Sequence, residues 1–93
     1  MAELFGKLTK KMDTETVGNS GFKKRNFIVV TEEQYPQEIQ LQMVQGNVSL
    51  LDNFQLDSMV KITFDIKGKP WTKDGKTSYF VTLQAWKIET HAS

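Results

Sequence analysis

The chain has 93 residues, 25% of them charged, with no cysteine, one histidine and a formal net charge of +1. This length allows one domain with a single core. The lack of cysteine excludes disulfides and thiolate metal sites, and one histidine leaves little material for a zinc site or for histidine catalysis. No apolar run reaches the length of a signal peptide or a membrane span, so we expect one soluble cytoplasmic domain over residues 1–93.

The charges are segregated along the chain. Residues 1–31 hold six basic and three acidic side chains, and residues 61–93 hold the same numbers. Residues 32–60 hold five acidic side chains and no basic one. A basic stripe on one face is therefore possible although the whole chain is nearly neutral.

The first half of the chain shows three strand patterns. Residues 3–12 alternate, with Gly6 where a bend or a close backbone approach is expected, as at the corner of a small barrel. A polar loop over residues 13–21 follows, and then a second strand over residues 22–31 that begins basic and ends apolar. After a turn, the segment that starts at Pro36 has the clearest period-two alternation in the chain.

A short helix and two more strands complete the pattern. Val48, Leu51 and Phe54 are three residues apart behind Asn47, an acceptable N-cap, and this spacing predicts a short helix. Residues 60–67 and 81–89 alternate as fourth and fifth strands. Between them, Asp74-Gly75 is a strong two-residue turn signal, since both central positions of a type I′ turn need positive φ. Residues 68–86 are therefore predicted to form a β-hairpin.

Three strands, a short helix and two strands is the element order of the OB-fold. This fold is an all-β, five-stranded Greek-key barrel, with the helix here between strands three and four, and its ligands usually bind across strands two and three and the loops one-two and four-five. An SH3-like barrel is the nearest alternative, but it normally lacks a helix at that position. We predict the OB-fold.

Three parts of the chain carry a family resemblance. They are LFGKLTKK, then NFIVVTEEQYPQEIQLQM, and finally VKITFDIKGKPW together with LQAWKIE. They resemble a family of small, largely uncharacterised bacterial OB-fold domains related in shape to single-stranded DNA-binding proteins. In that family TEEQYP closes the second strand, here residues 31–36, and an AW-K pattern ends the last one, here Ala85, Trp86 and Lys87. The resemblance implies the same fold and, by analogy of shape, nucleic-acid binding.

We therefore predict a non-catalytic domain that binds single-stranded nucleic acid, with DNA expected, and with little sequence specificity. Lysines suit the phosphates and aromatic rings suit the base faces. The candidate binding residues are Phe22, Lys23, Lys24, Arg25, Gln40, Gln42, Lys69, Trp71, Lys73 and Lys76. Each has a structural alternative, because a basic cluster is often only a solvated strand start and Trp71 could instead fold back over the barrel.

A second hypothesis is a protein-interaction or structural module that forms a homo-oligomer. Its interface would consist of apolar residues predicted to point outward, which are Phe5, Ile28, Val30 and Trp86. Catalysis has no support, because acidic pairs such as Asp13 and Glu15 have neither a neighbouring histidine nor metal-ligand spacing. We expect no enzymatic activity, no metal, no cofactor and no membrane partner.

Overall fold

The computed structural model describes residues 2–19 and 21–91. Their elements are β1 (Ala2–Lys11), β2 (Glu15–Val17), β3 (Phe22–Thr31), β4 (Glu38–Val44), a 3₁₀ helix (Gln45–Asn53), β5 (Met59–Lys73) and β6 (Lys76–Thr90). No helix among these residues is long and apolar enough to cross a membrane. The predicted domain also includes residues 1, 20, 92 and 93, which lie outside the described residues, and its boundaries stay a prediction.

Five of the strands form a closed ring in the order β1-β5-β6-β4-β3, with β3 pairing back to β1. The ring closes at Gly6, which pairs with Val60 of β5 on one side and with Thr31 of β3 on the other. A Cβ atom at Gly6 would overlap the carbonyl oxygen of Val30 and lie 2.7 Å from a methyl carbon of Val29. The predicted close backbone approach at Gly6 is therefore confirmed.

The ring encloses one hydrophobic core. Its buried side chains come from all five ring strands and from the helix, and they are Leu8, Phe27, Val29, Leu41, Met43, Leu51, Val60, Ile62, Phe64, Ala85 and Ile88. Removal of this apolar area from water is the main stabilising contribution to the fold. The element order, the ring and the helix between β4 and β5 confirm the predicted OB-fold.

Two local predictions are wrong. The polar sequence of residues 13–21 predicts a loop, but residues 15–17 form β2, because their backbone pairs with residues 22–24 of β3, and such pairing needs no apolar side chain. The helix begins at Gln45, so Asn47 is not its N-cap, and no side chain caps its N-terminus. Near its C-terminal end, Lys11 Nζ donates a hydrogen bond of 2.7 Å to the carbonyl oxygen of Phe54.

The hairpin of β5 and β6 is longer than its sequence pattern predicts. Each strand has 15 residues, and pairing continues from Val60 and Thr90 to Lys73 and Lys76. Asp74 and Gly75 at the tip have φ angles of 53° and 76°, as the predicted turn requires. Residues 66–81 are all exposed, so this part is an arm with two open sides.

Candidate nucleic-acid interface

The register of β3 sorts the predicted basic cluster onto two sides of the sheet. Phe27 and Val29 are buried in the ring, and alternation places Lys23 and Arg25 on the same, interior side of the strand, where Arg25 is half-buried and Lys23, near the strand end, is exposed. Phe22, Lys24 and Asn26 lie on the outer side, as do Ile28 and Val30. Adjacent residues of this cluster therefore face different surroundings.

Arg25 has its guanidinium engaged within the protein. Its Nε donates a hydrogen bond of 2.8 Å to the carbonyl oxygen of Met12, and its Nη1 donates to the carbonyl oxygen of Val48 at 3.3 Å and to Asp52 Oδ1 at 2.8 Å. The hydrogen bond from Arg25, together with its charge, holds the pKa of Asp52 below its ordinary value of 3.8. Arg25 thus ties the segment after β1 to the 3₁₀ helix.

A polar groove runs along β4, between β3 and the base of the hairpin. Asn26 pairs with Gln42, and Ile28 pairs with Gln40. Direct cross-strand partners point to the same side of a sheet, so both glutamines lie outside with Lys24. The groove has a volume of about 510 Å³ and is lined by Lys24, Asn26, Glu38, Ile39, Gln40, Leu41, Gln42, Val81, Thr82 and Leu83. It thus lies between β4 and the base of the hairpin.

Gln42 and Gln84 connect this groove to the hairpin. They form a parallel backbone pair between β4 and β6. Along β6, Phe80 and Thr82 precede Gln84 at intervals of two residues and lie on the same, outer side of the strand. The outer side of the ring therefore continues without interruption onto one side of the hairpin.

We call this part of the hairpin the basic side. Its cross-strand pairs are Lys67–Thr82, Lys69–Phe80, Trp71–Ser78 and Lys73–Lys76. Asp65, which pairs with Gln84, lies at its base. The basic side thus carries four lysines and two aromatic rings.

The two aromatic rings of the basic side are open to solvent. Trp71 is 53% exposed, and its ring centroid lies 6.4 Å from that of Phe80, with the planes tilted by 56°. Together with Lys69, the two rings line a shallow, mostly apolar depression of about 360 Å³. Lys73 Nζ lies 5.9 Å from the centroid of Trp71. An aromatic surface bordered by ammonium groups can stack a base and hold its phosphate.

The structure brings most of the predicted binding residues to one continuous outer surface. They are Phe22, Lys24, Gln40, Gln42, Lys69, Trp71, Lys73 and Lys76, whereas Lys23 and Arg25 lie on the interior side of β3. The predicted set did not include Asn26, Phe80, Thr82 and Gln84, which share this surface. Asn26 is two residues from Lys24, so alternation alone predicts that it shares this surface. The positions of Phe80, Thr82 and Gln84 depend on the pairing of β6.

A β-bulge in β1 adds two more lysines to the outer side of the ring. The pairing of β1 with β3 shifts between Leu8 and Lys10, so that Lys7 pairs with Val30 and Lys10 pairs with Ile28. Both lysines are exposed on this side although they are three residues apart. Strict alternation would place them on opposite sides, so sequence reasoning could not find them.

The predicted oligomer interface is not one continuous patch. Ile28 and Val30 are half-buried on the outer side of β3. Phe5 lies on β1, with its ring centroid 4.8 Å from that of His91. Trp86 lies on β6, which pairs with neither β1 nor β3. The interface stays a prediction, and Trp86 is separated from its other members.

Several solved structures share this fold. The mitochondrial single-stranded DNA-binding protein Rim1 from S. cerevisiae has a TM-score of 0.73 and 11% identity, over 96% of this chain and 91% of its own. The single-stranded DNA-binding protein from Thermus aquaticus has a TM-score of 0.72 and 17% identity, over 97% of this chain and 48% of its own, so this chain spans about half of that protein. The N-terminal domain of PriB from Thermoanaerobacter tencongensis, described as dimeric, has a TM-score of 0.66 and 17% identity, over 99% of this chain and 96% of its own. At these identities the likeness establishes the fold.

Comparison of sequences gives a family. No functionally curated protein matches the chain. A family model matches residues 3–89, which include nearly all of the hairpin and of the ring. The predicted resemblance to a small uncharacterised family with an OB-fold is therefore confirmed, and the chain belongs to the family described as domain of unknown function DUF3127.

Proposed function

We propose that this chain is a non-enzymatic domain that binds single-stranded DNA with little sequence preference. The DNA strand lies along the outer surface, from the polar groove of β3 and β4 to the basic side of the hairpin. The observation that carries the proposal is the Gln42–Gln84 pair, because it makes these two parts one surface. The shared fold with two proteins named for single-stranded DNA binding supports the proposal.

The lysines of this surface bind phosphates. Lys24 lies at one end, where its Nζ is 3.9 Å from Glu15 Oε2, and the other lysines are on the hairpin. Each phosphate neutralised on a single strand contributes a slope of about −0.7 to the dependence of log affinity on log salt concentration. With this small number of lysines, affinity is moderate and decreases steeply as salt increases.

The aromatic and amide groups of this surface bind bases. Trp71 and Phe80 offer open ring faces, and a duplex has no free base face to place against them. Asn26, Gln40 and Gln42 each carry both a donor and an acceptor, so they can bind any base or a bridging water. This combination favours a single strand over a duplex and gives little sequence preference.

Acidic residues limit the path of the strand. Glu38 lies at one end of the groove, and Glu32 and Glu33 precede it in the turn after β3. A phosphate backbone avoids these carboxylates, so the strand leaves the groove past Lys24 and Phe22.

We propose a cytoplasmic location for the domain, because a chain without cysteine needs no oxidising environment.

The test is a fluorescence titration of a Trp86→Phe variant. The chain has two tryptophans, so this variant emits from Trp71 alone. We expect quenching by a single-stranded oligonucleotide at low salt, recovery at high salt, and much weaker quenching by a duplex of the same sequence. An RNA oligonucleotide of that sequence determines whether DNA is preferred. The proposal is excluded if neither quenching nor a change in anisotropy of a labelled strand occurs at low salt.

A further inference from the structure

The hairpin has a second side, opposite the basic side, that carries no charged residue. We call it the uncharged side. Its cross-strand pairs are Ile66–Leu83, Gly68–Val81, Pro70–Tyr79 and Thr72–Thr77. The structure describes all of these residues. The uncharged side therefore lacks charge along the whole arm, whereas the basic side carries four lysines.

The uncharged side continues the interior of the ring. Ala85 is buried, and Leu83, two residues earlier on β6, packs against the core. Val81 and Tyr79 lie on the same side, nearer the hairpin tip. No strand packs over them there, and they are 68% and 76% exposed. A contiguous apolar surface of this kind on a soluble domain is typical of an interaction site.

We propose that the uncharged side binds the same side of a second copy of this chain. In a two-fold contact each protomer presents the same surface, so any charge on that surface comes close to its own copy. The uncharged side has no such charge, whereas the basic side would bring lysines together. Tyr79, a large ring with a polar hydroxyl, is the type of residue that stabilises the centre of an interface.

This arrangement leaves both basic sides facing solvent in opposite directions. Val81 and Leu83 also line the groove of the proposed DNA surface. Tyr79 and the other five residues of the contact lie outside it, so Tyr79→Lys tests the contact without changing the DNA surface. Where DNA does bind, a dimer presents two basic sides to one strand, and the second binding event is then intramolecular.

The first test measures mass by light scattering over a range of protein concentrations. We expect the wild-type protein to reach twice the mass of one chain, and Tyr79→Lys and Val81→Lys to remain at one chain at concentrations where the wild type is doubled. Ser78→Lys is the matched control, because it adds the same charge at the neighbouring position of the basic side. The inference is overturned if the wild-type protein has the mass of one chain at every concentration. Binding of an apolar peptide would then indicate a different partner for the uncharged side, and the inference would still be overturned. It is equally overturned if Ser78→Lys dissociates as readily as the other two.

The second test uses single cysteines, which report unambiguously because the chain has none. A disulfide requires Cα atoms within about 7 Å, so it forms only close to the two-fold axis. Among Gly68→Cys, Tyr79→Cys and Val81→Cys, we expect at least one to give a covalent dimer on mild oxidation, and Ser78→Cys to give none. Cross-linking at Ser78 alone, or at none of these positions, would contradict the proposed contact. Oligonucleotide titration is measured separately, so failure of this contact leaves the DNA-binding proposal intact.

Discussion

Gln42 of β4 and Gln84 of β6 form a parallel backbone pair that links these two strands in the ring and joins the outer surface of the ring to the hairpin. In the described residues this is the single register pair between the two strands. The groove that contains Gln40, Thr82 and Lys24 lies beside it. The pairing of β4 with β6 and the proposed DNA surface therefore share one contact.

Gly6→Ala is expected to destabilise the protein. The added Cβ overlaps the carbonyl oxygen of Val30 and lies 2.7 Å from a methyl carbon of Val29, so β1 and β3 must separate where the ring closes. Overpacking of this kind costs about 1–3 kcal/mol, which urea unfolding can measure. Gly68→Ala is the matched control, because a Cβ there meets nothing within 4 Å. Equal losses of stability in the two variants would refute the role assigned to Gly6.

Asp52→Asn is expected to remove a pH-dependent contribution to stability. The pKa of Asp52 is lowered in the folded state by the hydrogen bond and charge of Arg25, so the unfolded chain takes up the proton first. The stabilisation is present above the ordinary pKa of 3.8 and is lost as pH falls through the lower pKa of the folded state. The melting temperature of the variant should therefore be below that of the wild type at neutral pH, and the two should converge in acid.

The matched control for Asp52 is Glu33→Gln, which removes a carboxylate from the exposed turn after β3. We expect it to melt like the wild type at neutral pH. Thermal melts of all three proteins across the acidic range would show this. A difference between Asp52→Asn and the wild type that stays constant down to the lowest pH would show that Asp52 acts by packing and not by charge.

Trp71→Ala is expected to weaken binding of single-stranded DNA. Stacking on one aromatic ring contributes about 1–3 kcal/mol per base, so the dissociation constant should rise roughly 5- to 150-fold. Anisotropy of a labelled oligonucleotide measures the change. Tyr35→Ala removes an even more exposed ring, from the acidic segment between β3 and β4, and should bind as the wild type does. Unchanged binding by Trp71→Ala would move the binding site away from the hairpin.

Lysine substitutions are expected to change the salt dependence of binding. Lys24→Gln, Lys69→Gln and Lys73→Gln should each reduce the slope of log affinity against log salt by about 0.7, the value for one phosphate on a single strand. Lys61→Gln removes the same charge elsewhere, from an ion pair of 2.7 Å with Glu3 between β1 and β5. Its slope should equal that of the wild type. An equal decrease in all four variants would indicate a general charge effect without a defined path.

Local patterns were sufficient for the fold. Alternation located the five ring strands, since strands of a small ring expose one side and bury the other. Asp74-Gly75 fixed the hairpin turn, and Gly6 indicated the point of closure. The predicted start of the helix was wrong, and residues 15–17, predicted to lie in a loop, form β2 because edge pairing depends on the partner strand β3 and not on the composition of the segment.

The chemistry of the candidate site followed from the sequence, but its arrangement did not. The lysines, the glutamines and Trp71 were recognisable by residue type and by proximity to predicted loops. Lys23 and Arg25 looked equivalent to Lys24, yet alternation against the buried Phe27 places them on the interior side, where Arg25 binds Asp52.

The sequence by itself determined an all-β chain with its strand order, its turn and the residue types of a basic, aromatic hairpin, because these depend on neighbours two to four residues apart. Only the tertiary structure decided which of these residues share a surface. That depends on register: the bulge in β1 places Lys7 beside Lys10, and the Gln42–Gln84 pair aligns the groove with the hairpin. The same register gives the hairpin one basic and one uncharged side, because pairing across strands fixes which residues face each direction.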